Sequence, residues 1–103
     1  MRKYQFTITM TVPLGTRRGF MELQETGGLI IGQMHILGRD TSFSGSLFPD
    51  NRCELTGNMT LLTRSFAYRA AGTLTEQNID LKLYGERNRL HITGEAKNDE
   101  NIL

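Results

Sequence analysis

Residues 4–12 read Tyr-Gln-Phe-Thr-Ile-Thr-Met-Thr-Val, and this stretch decides the fold. Tyr4, Phe6, Ile8, Met10, Val12 and then Leu14 are apolar, while Gln5, Thr7, Thr9 and Thr11 are polar. Side chains of an extended chain point alternately to its two faces, so this alternation predicts a strand with one face buried and one wet. Pro13 lies near its end, where a missing N–H is tolerated.

The same pattern recurs along the whole chain. It predicts strands over 4–14, 19–26, 29–37, 41–48, 53–62, 66–75, 79–84 and 90–96. The turn signals between them include Gly27-Gly28, Gly38-Arg39-Asp40, Pro49-Asp50-Asn51 and Thr63-Arg64-Ser65. No segment has a convincing helical period. The fold expected is all-β: a single-domain, eight-stranded antiparallel up-and-down meander. Eight strands suffice to close a small β-barrel and so remove the exposed edges of an open sheet. A two-sheet β-sandwich is the alternative. The barrel should occupy residues 1–97, with 98–103 a flexible polar tail. By architecture alone the reading is similar to lipocalin- and avidin-like barrels, an analogy of shape only. The G-x-W signature of lipocalins is missing, and the chain has no tryptophan.

Gly32, Gly45, Gly57, Gly72 and Gly94 all fall on the apolar phase. Inward glycines can leave room for a ligand, or they can let strands bend and make way for bulky neighbours. Trial registers favour the second. Facing Ile36 to Phe43 sets Met34 against Gly45 and Gly32 against Leu47; facing Leu47 to Cys53 sets Phe43 against Gly57. Facing Leu61 to Phe66 sets Gly57 against Ala70. Most glycines then oppose a large side chain, as in a filled interior. Any pocket that remains would be apolar, with Tyr4 and Tyr68 as interior polar handles.

The net charge is only +1, which gives no global attraction to nucleic acid or membrane. Its distribution is more informative. Alternate turns of a meander lie at the same end, and the first, third, fifth and seventh turns carry Arg17, Arg18, Arg39, Arg64, Arg87 and Arg89. Arginine offers a planar fork that matches carboxylate and phosphate. These six are the expected ligand-binding residues of a basic rim, opposed there only by Asp40 and Glu86.

Catalytic signatures are scarce. Cys53 is the only cysteine and falls on the apolar phase, so it reads as a core residue. A Gly27-Gly28 turn would set Phe20 across from His35, and His91 would lie beside Lys82; neither histidine has a second at ligand spacing. No catalytic residues, metal site or cofactor is expected, and the chain leans away from being an enzyme. Phe20, Ile31 and Phe48 fall on the polar phase, with Ile31 expected to face Phe48, and form a candidate interface on strands two to four.

The leading expectation is a non-enzymatic, small-molecule-binding barrel whose basic rim meets an anionic or amphipathic ligand. The alternative is a homo-oligomeric, most simply dimeric, structural or accessory protein acting through the outer apolar face. Nucleic acid is disfavoured because the rim lacks interleaved aromatics. The apolar residues near the start come at every second position rather than in a run, so no signal peptide is read, no membrane partner is expected and the cytoplasm is the expected location.

Overall fold

The computed structural model describes residues 1–13, 15–61, 64–86 and 89–97. The chain forms β1 (Arg2–Val12), β2 (Gly15–Thr26), β3 (Leu29–Ile36), β4 (Arg39–Leu47), β5 (Arg52–Leu61), β6 (Arg64–Leu74), β7 (Asn78–Tyr84) and β8 (Arg89–Ala96). Each strand pairs antiparallel with the next, and β1 pairs with β8 from Phe6↔Ala96 to Thr11↔His91, closing the barrel. The sandwich alternative is therefore set aside.

The opening alternation holds residue by residue from Tyr4 to Met10, with Val12 half-buried; Leu14 and the expected tail 98–103 lie outside the described residues. Tyr4, Phe6, Ile8 and Met10 are buried, and the residues between them face outward. The same phase carries Met21 and Leu23 on β2, Ile30, Met34 and Ile36 on β3, and Ile79, Leu81 and Leu83 on β7 into one hydrophobic core. The barrel is flattened, with extents of 37 × 34 × 19 Å.

The glycines permit this flattening. Phe43 lies opposite Gly32, and Tyr68 lies opposite Gly57. Gly94 sits between Ile8 and Ile79, whose methyl groups approach to 2.8 and 2.9 Å of the place a Cβ would take. At Gly45 and Gly72 the close neighbour is backbone instead. A Cβ there would run into the carbonyls of Glu54 and Asp80 on the next strand.

Two registers differ from expectation. The β3–β4 ladder runs to Ile36↔Arg39, so Gly32 meets Phe43 rather than Leu47, and Met34 meets Thr41. Leu37 and Gly38, both at positive φ (59° and 72°), make a two-residue turn whose twist suits a hairpin. The β5–β6 ladder runs to Leu61↔Arg64, so Gly57 meets Tyr68 rather than Ala70. In both cases the arginine assigned to a turn is the first residue of a strand. The Gly27-Gly28 turn, both residues at positive φ, gives the expected Phe20↔His35 pair.

Candidate functional site

The two ends of the barrel are built differently. At one end, where the chain passes from β2 to β3, β4 to β5 and β6 to β7, backbone bonding continues past the ladders. Leu47 N donates to Gly28 O, Phe48 N to Arg52 O, Leu74 N to Asn51 O and Lys97 N to Gln5 O, all at 2.8–2.9 Å. Its arginines are neutralised: Arg2 lies 3.2 Å from Glu76, and Arg52 lies 3.4 Å from Asp50.

At the other end the hairpins part. The β2–β3 ladder stops at Phe20↔His35, leaving Gly15–Gly19 beyond it. The β4–β5 ladder stops at Phe43↔Gly57, so Arg39–Ser42 and Asn58–Leu61 diverge. The β6–β7 ladder stops at Arg69↔Tyr84 and the β1–β8 ladder at Thr11↔His91. Where β1 leaves β8, a notch of about 520 Å³ opens between Val12 and Pro13 on one side and Leu90 on the other, with Lys82, Arg89 and His91 around it.

Arg17, Arg18, Arg39, Arg64 and Arg89 all stand at this open end, each exposed. Arg87 lies outside the described residues. Arg17 and Arg18 are strand residues, opposite Met10 and Thr9, rather than members of a turn. The alternation sorts the set. Arg17, Arg39 and Arg64 share the inward phase with Met21, Phe43 and Tyr68 of their own strands, whereas Arg18 and Arg89 share the outward phase. Among the described residues, no carboxylate lies within ion-pair distance of any of these five. Asp40, the nearest acid in sequence to Arg39, is engaged by His35 Nδ1, which donates to its Oδ1 at 2.5 Å.

The tyrosines separate. Tyr4 lies toward the closed end, stacked on Phe6 with ring centroids 6.1 Å apart and its phenol beside the Arg2 guanidinium. It is no handle for a ligand at the open end. Tyr68 belongs to the open half. Its hydroxyl is buried with no hydrogen-bond partner among the described residues, and burial pushes its pKa up to about 12. Thr41, one residue past Asp40, has a buried hydroxyl in the same condition. Sequence reasoning passed over Thr41, although its phase, shared with Phe43 and Gly45, already set it inward; only its partner Met34 depends on the tight Leu37-Gly38 turn.

The outer face is divided as well. Phe20, Leu29 and Ile31 are 53%, 67% and 60% exposed, with Lys97 Nζ 5.5 Å from the Phe20 ring centroid. Ile31 pairs with Ser44, not with Phe48. Phe48 lies past the end of β4, half-buried, with the Arg52 guanidinium 5.1 Å from its ring centroid. Leu29 is the apolar neighbour of Ile31 that the sequence reading passed over. Both histidines lie on the outer face with carboxylates: His35 near Asp40 and Glu22, and His91 with Asp80 at 2.8 Å. Among the described residues no helix is long and apolar enough to cross a membrane.

No protein-family model matches the chain, and the searches of curated proteins and of solved structures return no match.

Proposed function

We propose that the protein is a non-enzymatic binding module that takes a small anionic or amphipathic molecule at the open end of its barrel. One observation carries this reading. Arginines at the closed end are matched by carboxylates, while Arg17, Arg39 and Arg64, on the inward phase where the ladders part, have no carboxylate partner among the described residues. Unmatched like charges repel, and an anion held between guanidinium forks would relieve that repulsion. Arg18, Arg89 and Lys82 extend the positive field around the rim. The single buried cysteine suits a reducing compartment such as the cytoplasm.

Amide shifts on titration with inorganic phosphate and acetate test the reading. Shifts should cluster at Gly15–Gly19, Arg39–Asp40, Ser65 and Arg89. They should weaken as salt is raised, because exposed charges are screened within ~8 Å at physiological ionic strength. An Arg17→Ala, Arg64→Ala double variant should lose them. Uniformly small shifts for both anions would overturn the proposal.

A second reading rests on Phe20, Leu29 and Ile31. Their exposure on adjoining strands favours an accessory role in which two copies pair through the outer face of β2 and β3.

A further inference from the structure

Beneath the arginines lies an unusual pair of groups. The hydroxyls of Tyr68 and Thr41 are the two buried side-chain polar atoms without a hydrogen-bond partner among the described residues. A buried hydroxyl gives up its bonds to water, and a fold keeps such a group at a cost unless something completes it.

Their positions are connected. Tyr68 is 3% exposed and lies across from Gly57. Its hydroxyl stands 2.7 Å from the place a Cβ on Gly57 would take, and the Ser42 carbonyl of β4 stands 2.9 Å from that same place. Gly57 is in the last rung of the β4–β5 ladder. The Tyr68 hydroxyl thus lies where β4 and β5 part, and Thr41 is on the diverging arm of β4.

Each hydroxyl also sits below an arginine on the same face of its own strand. On β4 the inward phase runs Arg39, Thr41; on β6 it runs Arg64, Phe66, Tyr68. With a strand rise of about 3.3 Å per residue, Thr41 is ~7 Å below Arg39 and Tyr68 is ~13 Å below Arg64. The residues beside these hydroxyls are apolar and soft. Met34 of β3 is the register partner of Thr41, and Met59 of β5 is the partner of Phe66, next on the inward phase from Tyr68 on β6. Both methionines are buried, and unbranched thioether side chains repack readily.

Resting on the anion-binding reading above, we infer that the ligand is a bifunctional amphiphile entering through the β4–β5 seam. Its anionic head meets Arg39 and Arg64, its apolar body displaces Met34 and Met59, and a second oxygen roughly 7–13 Å from the head pairs with the Tyr68 and Thr41 hydroxyls. Hydroxylated medium-chain carboxylates have this form. The apolar body replaces methionine contacts with ligand contacts. The distal oxygen completes two hydroxyls that have no partner among the described residues.

Comparing 10-hydroxydecanoate with decanoate tests this by isothermal titration, alongside the phosphate shifts described above. On the native protein the hydroxylated chain should bind about tenfold more tightly, the effect of one good hydrogen bond to a buried group. Tyr68→Phe and, separately, Thr41→Val should each bring the two ligands toward equal affinity. Without ligand, Tyr68→Phe should melt at a higher temperature, because an unpaired buried hydroxyl has been removed. Equal affinities on the native protein, or a preference that survives both variants, would overturn the inference while leaving the anion site standing. Phosphate shifts at the arginines with no binding of either carboxylate would do the same. A lower melting temperature for ligand-free Tyr68→Phe would show that the hydroxyl already has a partner and would also overturn it. Absence of all binding, phosphate shifts included, would remove both readings.

Discussion

Gly32 lies directly opposite Phe43, and the ring's Cζ stands 2.6 Å from the place a Cβ on Gly32 would occupy. The aromatic ring takes the volume that the glycine gives up. A small barrel built from such pairs packs its interior without a uniform layer of medium-sized side chains.

The glycines should therefore rank by what they touch. Gly45→Ala and Gly72→Ala drive a methyl into the backbone of the next strand, which has nowhere to move, and each should lose about 2–3 kcal/mol. At Gly94 the neighbours include the Ile8 and Ile79 methyl groups, which can give way, so Gly94→Ala should lose about 1 kcal/mol. Urea unfolding of the three variants checks the order. A Gly94→Ala protein as unstable as Gly45→Ala would contradict it.

The barrel should weaken in alkali. Burial pushes the Cys53 thiol from 9.0 up to about 11 and the Tyr68 phenol from 10.0 up to about 12. Between the two values of each group the unfolded chain has released a proton that the folded chain still holds. Stability is full below pH 9 and falls as pH rises through 9–11 for Cys53 and 10–12 for Tyr68. Urea midpoints at pH 8 and pH 10.5 should fall less for Cys53→Ala than for the native protein. Parallel losses would show that the thiol is not responsible.

His35 should titrate above its ordinary value of 6.5, chiefly because it donates to Asp40 and also because Glu22 lies 3.6 Å from its Nε2. A histidine with a raised folded value stabilises the protein fully below the unfolded value of 6.5. The contribution is lost as pH rises through the folded value. Imidazole proton shifts followed with pH should give the midpoint, and Asp40→Asn should lower it. A midpoint unmoved by Asp40→Asn would rule out the Asp40 bond as the main cause.

Ile31→Glu should leave folding within about 0.5 kcal/mol of the native value, because the side chain is exposed on the outer face of β3. If two copies pair through this face, the same change should convert a dimer to a monomer in sedimentation at high micromolar concentration. A native protein that sediments as a monomer there would refute the pairing.

Much of the scaffold was legible because it rests on a single period. Tyr4 to Val12 alternate strictly, and a residue's phase, once known, determines which wall it belongs to. The Gly27-Gly28 turn was legible too, since two glycines at positive φ favour one hairpin geometry. The Leu37-Gly38 turn was not. A leucine rarely adopts φ of 59°, so the sequence pointed to a longer turn that absorbed Arg39. Arg64 was misplaced in the same way. The consequence was chemical as well as geometric. Only with the observed registers does Tyr68 come over Gly57, and only then does its unpaired hydroxyl fall beneath Arg64.

Seven of the eight ladders join strands adjacent in the chain, and one, β1–β8, joins its two extremes. That single seam gives the assembly route an uneven timetable. Hairpins can zip locally within microseconds, but the last junction must bring Phe6 to Ala96 across nearly the whole polypeptide. Until it does, β1 and β8 each have a bare margin able to add a strand from another molecule. Closure of this seam removes the last strand edges open to such additions. A substitution such as Thr9→Pro, in a strand paired on both sides, would remove a ladder donor from the finished barrel and also delay closure of the seam.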